Sequence, residues 1–91
     1  HIPIQIVDER NRIRMIGAGI TLKKEKQFGK FVSLIPYTNV VKGLTLTGFK
    51  YPLDHYDFKG FCSLGVSNEI IAESAEIAFE EGILIVIEAR D

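Results

Sequence analysis

Asp54, His55 and Asp57 fall within four positions of one another, and three such side chains could gather a divalent metal in one loop. In a polar stretch they read more simply as solvated groups, and we expect no metal there. Cys62 is the only cysteine, with His1 and His55 the only histidines that could activate it as a nucleophile; a small apolar role in the core is the expectation. Gly17-Ala18-Gly19 opens like a dinucleotide-binding turn, but Leu22 stands at the third glycine position and no strand–loop–helix unit follows. No Gly-Lys-Ser/Thr phosphate loop occurs, and no close pair of acids stands in a setting for glycoside hydrolysis or phosphotransfer. These residues do not make a self-sufficient catalytic constellation. Read by residue type alone, the chain is a domain that binds something.

The elements that must carry such a site are short and fit one domain. The chain has 91 residues, 46% of them apolar, enough for a core but of a size at which little more than half the unfolded surface is buried. Its longest apolar run, Ile83 to Ile87, is far shorter than the roughly 20 residues of a membrane helix. It opens on His1 with no leader pattern, as expected of a fragment cut from a longer protein or of a processed chain. One thiol makes no internal disulfide, and no Asn-x-Ser/Thr occurs, so we expect a cytoplasmic setting. Charge is uneven: residues 1–50 hold nine Lys/Arg against three Asp/Glu, and residues 51–91 hold two against nine. The basic half could face an anion, but a whole-domain charge of −1 does not suit a nucleic-acid binder. Mutual neutralisation across one sheet is the favoured reading.

Alternation and turn residues predict an antiparallel all-β domain, a sandwich or barrel, over residues 1–91. Ile2–Val7 and Arg12–Ile16 read as a hairpin, the arginines of the second strand marking its wet face. Gly17–Gly19 reads as a bend, Lys23–Gly29 as a polar loop and Phe31–Ile35 as a strand closed by Pro36. Leu44 and Leu46 alternate with Thr45 and Thr47, which puts the leucines on one face. Pro52–Lys59 reads as a loop, Gly60–Val66 as a short apolar stretch and Ile83–Ala89 as the last strand. Asn68–Glu81 is ambiguous. Asn68 is a good N-cap, Gly82 a good C′ residue, and Ile70, Ile71, Ala75, Ala78 and Phe79 recur at helical spacing. The same segment also offers Ala75, Ile77 and Phe79 to one face of a strand.

Four stretches carry a family resemblance: Phe28-Gly29-Lys30-Phe31-Val32-Ser33-Leu34-Ile35-Pro36, Gly43-Leu44-Thr45-Leu46-Thr47-Gly48-Phe49-Lys50-Tyr51-Pro52-Leu53, Ser63-Leu64-Gly65-Val66-Ser67-Asn68-Glu69, and Gly82 through Asp91. In this order and spacing they resemble the C-terminal thiamine-binding domain of bacterial thiamine pyrophosphokinase, over nearly the whole chain. Each stretch alone is weak, and the ordered set is fairly specific.

The resemblance implies an enzyme that transfers pyrophosphate from ATP to the hydroxyl of thiamine, giving thiamine diphosphate and AMP. It implies a homodimer, with ATP and Mg²⁺ held by acidic residues of an N-terminal α/β domain that these residues lack, so this piece alone is expected to be inactive and to hold no cofactor. It also implies a β-sandwich completing the thiamine pocket, which selects the strand for Ser74–Glu80. Gly65, Ser67 and Asn68 match the thiamine-contacting turn. An Asn amide complements an aminopyrimidine edge, a Ser hydroxyl adds one bond, and a Gly lets backbone approach; the bland reading of Ser67 and Asn68 is ordinary turn chemistry. Tyr51 stands where some relatives carry Trp and would either stack on a ring or fill core. Glu69 could face the thiazolium cation but reads as solvated. The rival function is a stand-alone β module that binds a ligand or nucleic acid through its basic half.

Overall fold

A computed structural model describes residues 4–59 and 68–90. Nine strands form two antiparallel sheets: β1 (Ile4–Val7), β2 (Asn11–Ile16), β3 (Ile20–Lys23), β4 (Phe31–Pro36), β5 (Val40–Thr47), β6 (Leu53–Lys59), β7 (Asn68–Glu69), β8 (Ser74–Ala78) and β9 (Leu84–Ala89). One sheet has the order β1-β2-β9-β4-β7 and the other β3-β8-β5-β6. Among the described residues the only helical turn is a 3₁₀ turn at Lys24–Lys26. Side chains from both sheets meet in one core, with Val32, Leu34, Leu84 and Val86 from the first and Leu22, Val41, Leu44, Leu46, Phe58, Ala75 and Ile77 from the second. This is an antiparallel β-sandwich, as expected.

The predicted hairpin forms, with Ile6 opposite Ile13 and Val7 opposite Arg12. Asp8 turns it: its carboxylate accepts from the backbone N–H of Arg10 (2.8 Å) and of Asn11 (2.7 Å). Those two bonds hold its pKa below the usual carboxylate value. The Gly17–Gly19 bend then carries the chain from one sheet to the other, since β2 and β3 lie in different sheets. Asn68–Glu81 resolves as strand: Ala75 and Ile77 are buried and Ser74, Glu76 and Ala78 exposed, the period-2 pattern that a helix would scramble.

Two readings need correction. Leu53–Lys59 is a strand, not a loop. It is an edge strand, so only Phe58 buries fully and its polar side chains face water. Its pairing with β5 contains two irregularities, one on each strand, between Val41/Leu44 and between Leu44/Leu46. At the first Gly43 takes φ +67, a conformation that glycine adopts freely. At the second His55 takes φ 49, and its N–H is held by Thr45 Oγ1 at 3.1 Å.

The second correction is β2. Arg12 and Arg14 do not form its wet face. They pair with Glu88 and Val86 of β9 and so lie on the sheet face turned toward the core. Glu88 is 0% exposed. Arg12 grips it through Nε at 2.6 Å and Nη2 at 2.9 Å, and Arg14 adds Nη2 at 3.1 Å. The bond to Glu88 holds the Arg12 guanidinium above its ordinary pKa, against the opposing effect of partial burial. The favoured neutralisation of the basic half by the acidic half is realised here, and again at the exposed Lys42–Glu81 pair, 3.8 Å apart.

The opposite face of this sheet is therefore apolar and outward: Ile6, Ile13 and Ile87 share one row, and Met15, Ile85 and Ile35 the next. Ile6 is 58% and Ile35 41% exposed.

Glu88→Ala should lower the free energy of unfolding by about 3 kcal/mol, because it leaves two half-buried guanidiniums without their counter-charge. Lys42→Ala, which breaks an exposed pair, should change it by less than about 1 kcal/mol. Urea midpoints of the two variants measure the difference.

Candidate functional site

The site residues named from the sequence divide between described and undescribed parts of the chain. Gly65 and Ser67, with Cys62 and the Gly60–Val66 stretch, lie outside the described residues. Asn68 and Tyr51 are brought together.

Asn68 opens β7, a two-residue edge strand whose register places Asn68 opposite Val32 and Glu69 opposite Phe31. Asn68 thus faces the interior and is buried, while Glu69 sits on the other face of the sheet. The Asn68 amide reaches the chain just after β5. Its Oδ1 accepts from the N–H of Tyr51 (2.9 Å) and of Glu69 (3.0 Å), and its Nδ2 donates to the Tyr51 carbonyl (2.8 Å). Three of the four bonds that an Asn amide can make are spent on backbone, leaving one N–H.

Backbone bonds extend this clamp into a short ladder. Lys50 N–H donates to the Glu69 carbonyl (2.8 Å), Ile71 N–H donates to the Gly48 carbonyl (2.9 Å), and Phe49 bridges Ile70. The buried side chains of Phe49 and Ile70 anchor the crossing in the core. The result holds the Tyr51 backbone rigidly while its ring stays 49% exposed, with Lys50 Nζ 5.5 Å from the ring centre. Of the two roles weighed for Tyr51, filling core does not fit a ring this exposed.

Other groups are placed apart. Asp54 and His55 pair with each other at 2.6 Å, whereas Asp57 accepts from Gly43 N–H at 3.1 Å. The sequence cluster is thus divided between two tasks, and the described residues contain no group of three metal-ligating side chains. An open cleft of about 800 Å³ lies between the 3₁₀ turn and the β7–β8 connection, lined in part by Lys23, Lys24, Glu25, Ile71 and Glu73. Neither Tyr51 nor Asn68 lines it, and its charges are of mixed sign, so we place the candidate site at the Asn68–Tyr51 clamp.

With that geometry described, known proteins can be compared. Residues 19–84 match the family described as "Thiamin pyrophosphokinase, vitamin B1 binding domain". The chain belongs to this family. The thiamine pyrophosphokinase of Bacillus subtilis (strain 168) is 35% identical over all 91 residues. Its crystal structure superposes with a TM-score of 0.90 over 99% of this chain. The crystal structure of thiamin pyrophosphokinase from Geobacillus thermodenitrificans gives 37% identity and a TM-score of 0.83 over 99% of the chain. The chain covers 42% of the length of each of these relatives. The matched range includes both halves of the clamp, Gly48–Tyr51 and Asn68–Ile71.

Sequence reasoning missed the Arg12–Glu88–Arg14 network. The available signal was the parity of β9: Glu88 follows Leu84 and Val86 at steps of two, so an inward Leu84 makes Glu88 inward too.

Asn68→Ala should remove the three bonds that seat Tyr51 and Glu69. We expect a loss of about 1–3 kcal/mol in stability, with hydrogen exchange at the Tyr51 and Glu69 amides speeded beyond the increase which that loss imposes on the core amides of β9. Exchange followed residue by residue in this variant checks it.

Proposed function

We propose that this chain is the thiamine-binding part of a thiamine pyrophosphokinase, an enzyme that transfers pyrophosphate from ATP to the thiamine hydroxyl and releases AMP. The observation that carries the reading is the clamp: a buried Asn amide spends three bonds to fix a half-exposed tyrosine, in a chain of the B1-binding family. The exposed Tyr51 ring offers a face for stacking on thiamine's aminopyrimidine. Asn68 keeps one N–H for that ring's edge, although its main task is to seat Tyr51. Ser67 and Gly65 would complete the contact, the first with a hydroxyl and the second by close backbone approach, as the family resemblance implies.

ATP and Mg²⁺ are assigned to the part of the enzyme outside this chain. Mg²⁺ would there neutralise charge on the transferring group. Asp54 and Asp57, the acids grouped with His55, are already engaged, Asp57 with Gly43 and Asp54 with His55. The chain by itself should give no thiamine diphosphate. A cytoplasmic setting accompanies the reading, since the reaction draws on ATP; among the described residues no helix is long and apolar enough to cross a membrane.

The homodimer belongs to the same proposal. The outward apolar rows of Ile6, Ile13, Met15, Ile35, Ile85 and Ile87 cover four adjacent strands. At about 4.8 Å per strand and 3.4 Å per residue the two rows span roughly 260 Å² in projection, a contiguous apolar surface rather than scattered single side chains. A second copy of this chain is the occupant we assign. Charge-free rows are self-complementary about a two-fold axis, so no like charges are brought face to face.

In the full-length enzyme Tyr51→Ala should raise the KM for thiamine about tenfold, the loss of one stacked ring, and leave the KM for ATP near wild type. Equal changes in both constants, or none, would refute the assignment of Tyr51. On the 91-residue chain, light scattering should report a dimer, and Ile13→Glu with Ile85→Glu a folded monomer. A monomeric parent chain would instead assign the face to the rest of the enzyme.

A further inference from the structure

The core-facing side of the β2–β9 pair carries more positive charge than it neutralises. Glu88 serves both Arg12 and Arg14. Arg90, one residue past β9, lays its guanidinium 3.9 Å from the centre of the Phe28 ring, and the Arg12 guanidinium stands 5.6 Å from the same centre. Gly29 lets this loop approach: a Cβ there would collide with the Ala89 carbonyl. The backbone N–H of Arg90 is tied to the Arg10 carbonyl at 2.8 Å. Glu88 thus pairs with two of these three guanidiniums, and the third rests on Phe28. Among the described residues no other carboxylate lies within 4 Å of any of them, which leaves a formal excess of +2.

The cluster also holds unspent donors. A guanidinium has five N–H groups; Arg12 uses two and Arg14 one on Glu88. Arg14 Nε is buried and has no hydrogen-bond partner, a state that costs free energy until an acceptor arrives. Arg12 and Arg14 keep about a quarter of their side-chain surface, 25% and 24%, so an acceptor can reach them. Their forks are already ordered, Arg12 by its two-point grip on Glu88 and Arg90 by its stack on Phe28, so little side-chain freedom remains to be lost on binding.

We propose that Arg12 and Arg90 at Phe28, with Arg14 joined to Arg12 through Glu88, form an oxyanion site for a phosphate-class group. Charge selects that class. A phosphate near pH 7 carries close to two negative charges and cancels the excess, whereas a carboxylate would cancel half of it. Guanidinium forks match the spacing of phosphate oxygens. The site uses neither Tyr51 nor Asn68, so it stands or falls separately from the thiamine reading. The group could be an inorganic phosphate species or a phosphate ester.

The test follows arginine Nε–Hε signals by nitrogen-15 NMR on the 91-residue chain. Inorganic pyrophosphate is titrated in one arm and AMP in the other, each against sodium chloride at matched ionic strength. We expect saturable shifts of the Arg12 and Arg14 signals that chloride does not produce. Saturation in the pyrophosphate arm alone assigns the inorganic species, and saturation by AMP assigns the ester. Arg90→Gln, an exposed change that leaves the Glu88 network in place, should weaken binding about tenfold, as expected for one charge-assisted bond. No saturable shift in either arm, or an Arg90→Gln chain that titrates like its parent, overturns the proposal.

Discussion

A single buried carboxylate decides which way the five-stranded sheet faces. Glu88 lies inward because β9 puts Leu84, Val86 and Glu88 on one side, and the first two are core. A buried ionised group needs a partner, and only β2 supplies one, through Arg12 and Arg14. A slip of one residue between β2 and β9 would set Ile13 opposite Glu88 and strand the charge. The network's net contribution to stability is modest, because burying the ions offsets much of their attraction. Its larger effect is on register, where a slip of one residue leaves that charge unpaired.

The rest of the sheet follows from that choice. With the arginines inward, the isoleucines of β1, β2, β9 and β4 must point outward, and the sheet becomes apolar on both sides. A sheet that is apolar on both faces is the pattern of a layer packed between two others. The sandwich supplies one of those layers, and the second copy proposed above would supply the other. The same inward turn gathers positive charge beside Phe28, so the outward apolar surface and the arginine cluster have one cause.

Much of the fold was legible in the sequence because its signals were local. The Asp8 turn, the Leu44/Leu46 alternation and the apolar run of β9 each needed only neighbours along the chain. What failed needed partners far away. Arg12 and Arg14 alternate with Ile13 and Met15, and alternation says that two faces differ without saying which is wet; the answer rested with Glu88, 76 positions from Arg12. Pro52–Lys59 looked like a loop because a solvent-facing edge strand with a bulge leaves a weak apolar signature, its two core-contacting residues, Leu53 and Phe58, falling out of step across the bulge. Asn68–Glu81 could not be divided by propensity, since Ala and Glu favour helices, and pairing with β3 and β5 settled it as strand. At the site the family motif pointed to Asn68, but its bond to a segment 17 residues earlier had no sequence signal.

That bond carries weight because β7 is so short. Two residues paired with β4 make a weak ladder at a sheet edge, and backbone bonds to Gly48–Lys50 add only a few rungs. The Asn68 side chain adds bonds to the same segment, which leads from β5 in the other sheet. Asn68 also shares a row of the first sheet with Val32, Glu88 and Arg12, each on the next strand along. The position of Tyr51 is therefore referred through one amide to the same inward-facing row that Glu88 fixes. In the proposed role of meeting a flat ligand, the ring gains little from mobility, since each freedom it retains is lost on binding. Placing it on a bend tied to a rigid sheet row, rather than on the edge strand itself, lets an otherwise weak edge present a well-ordered surface.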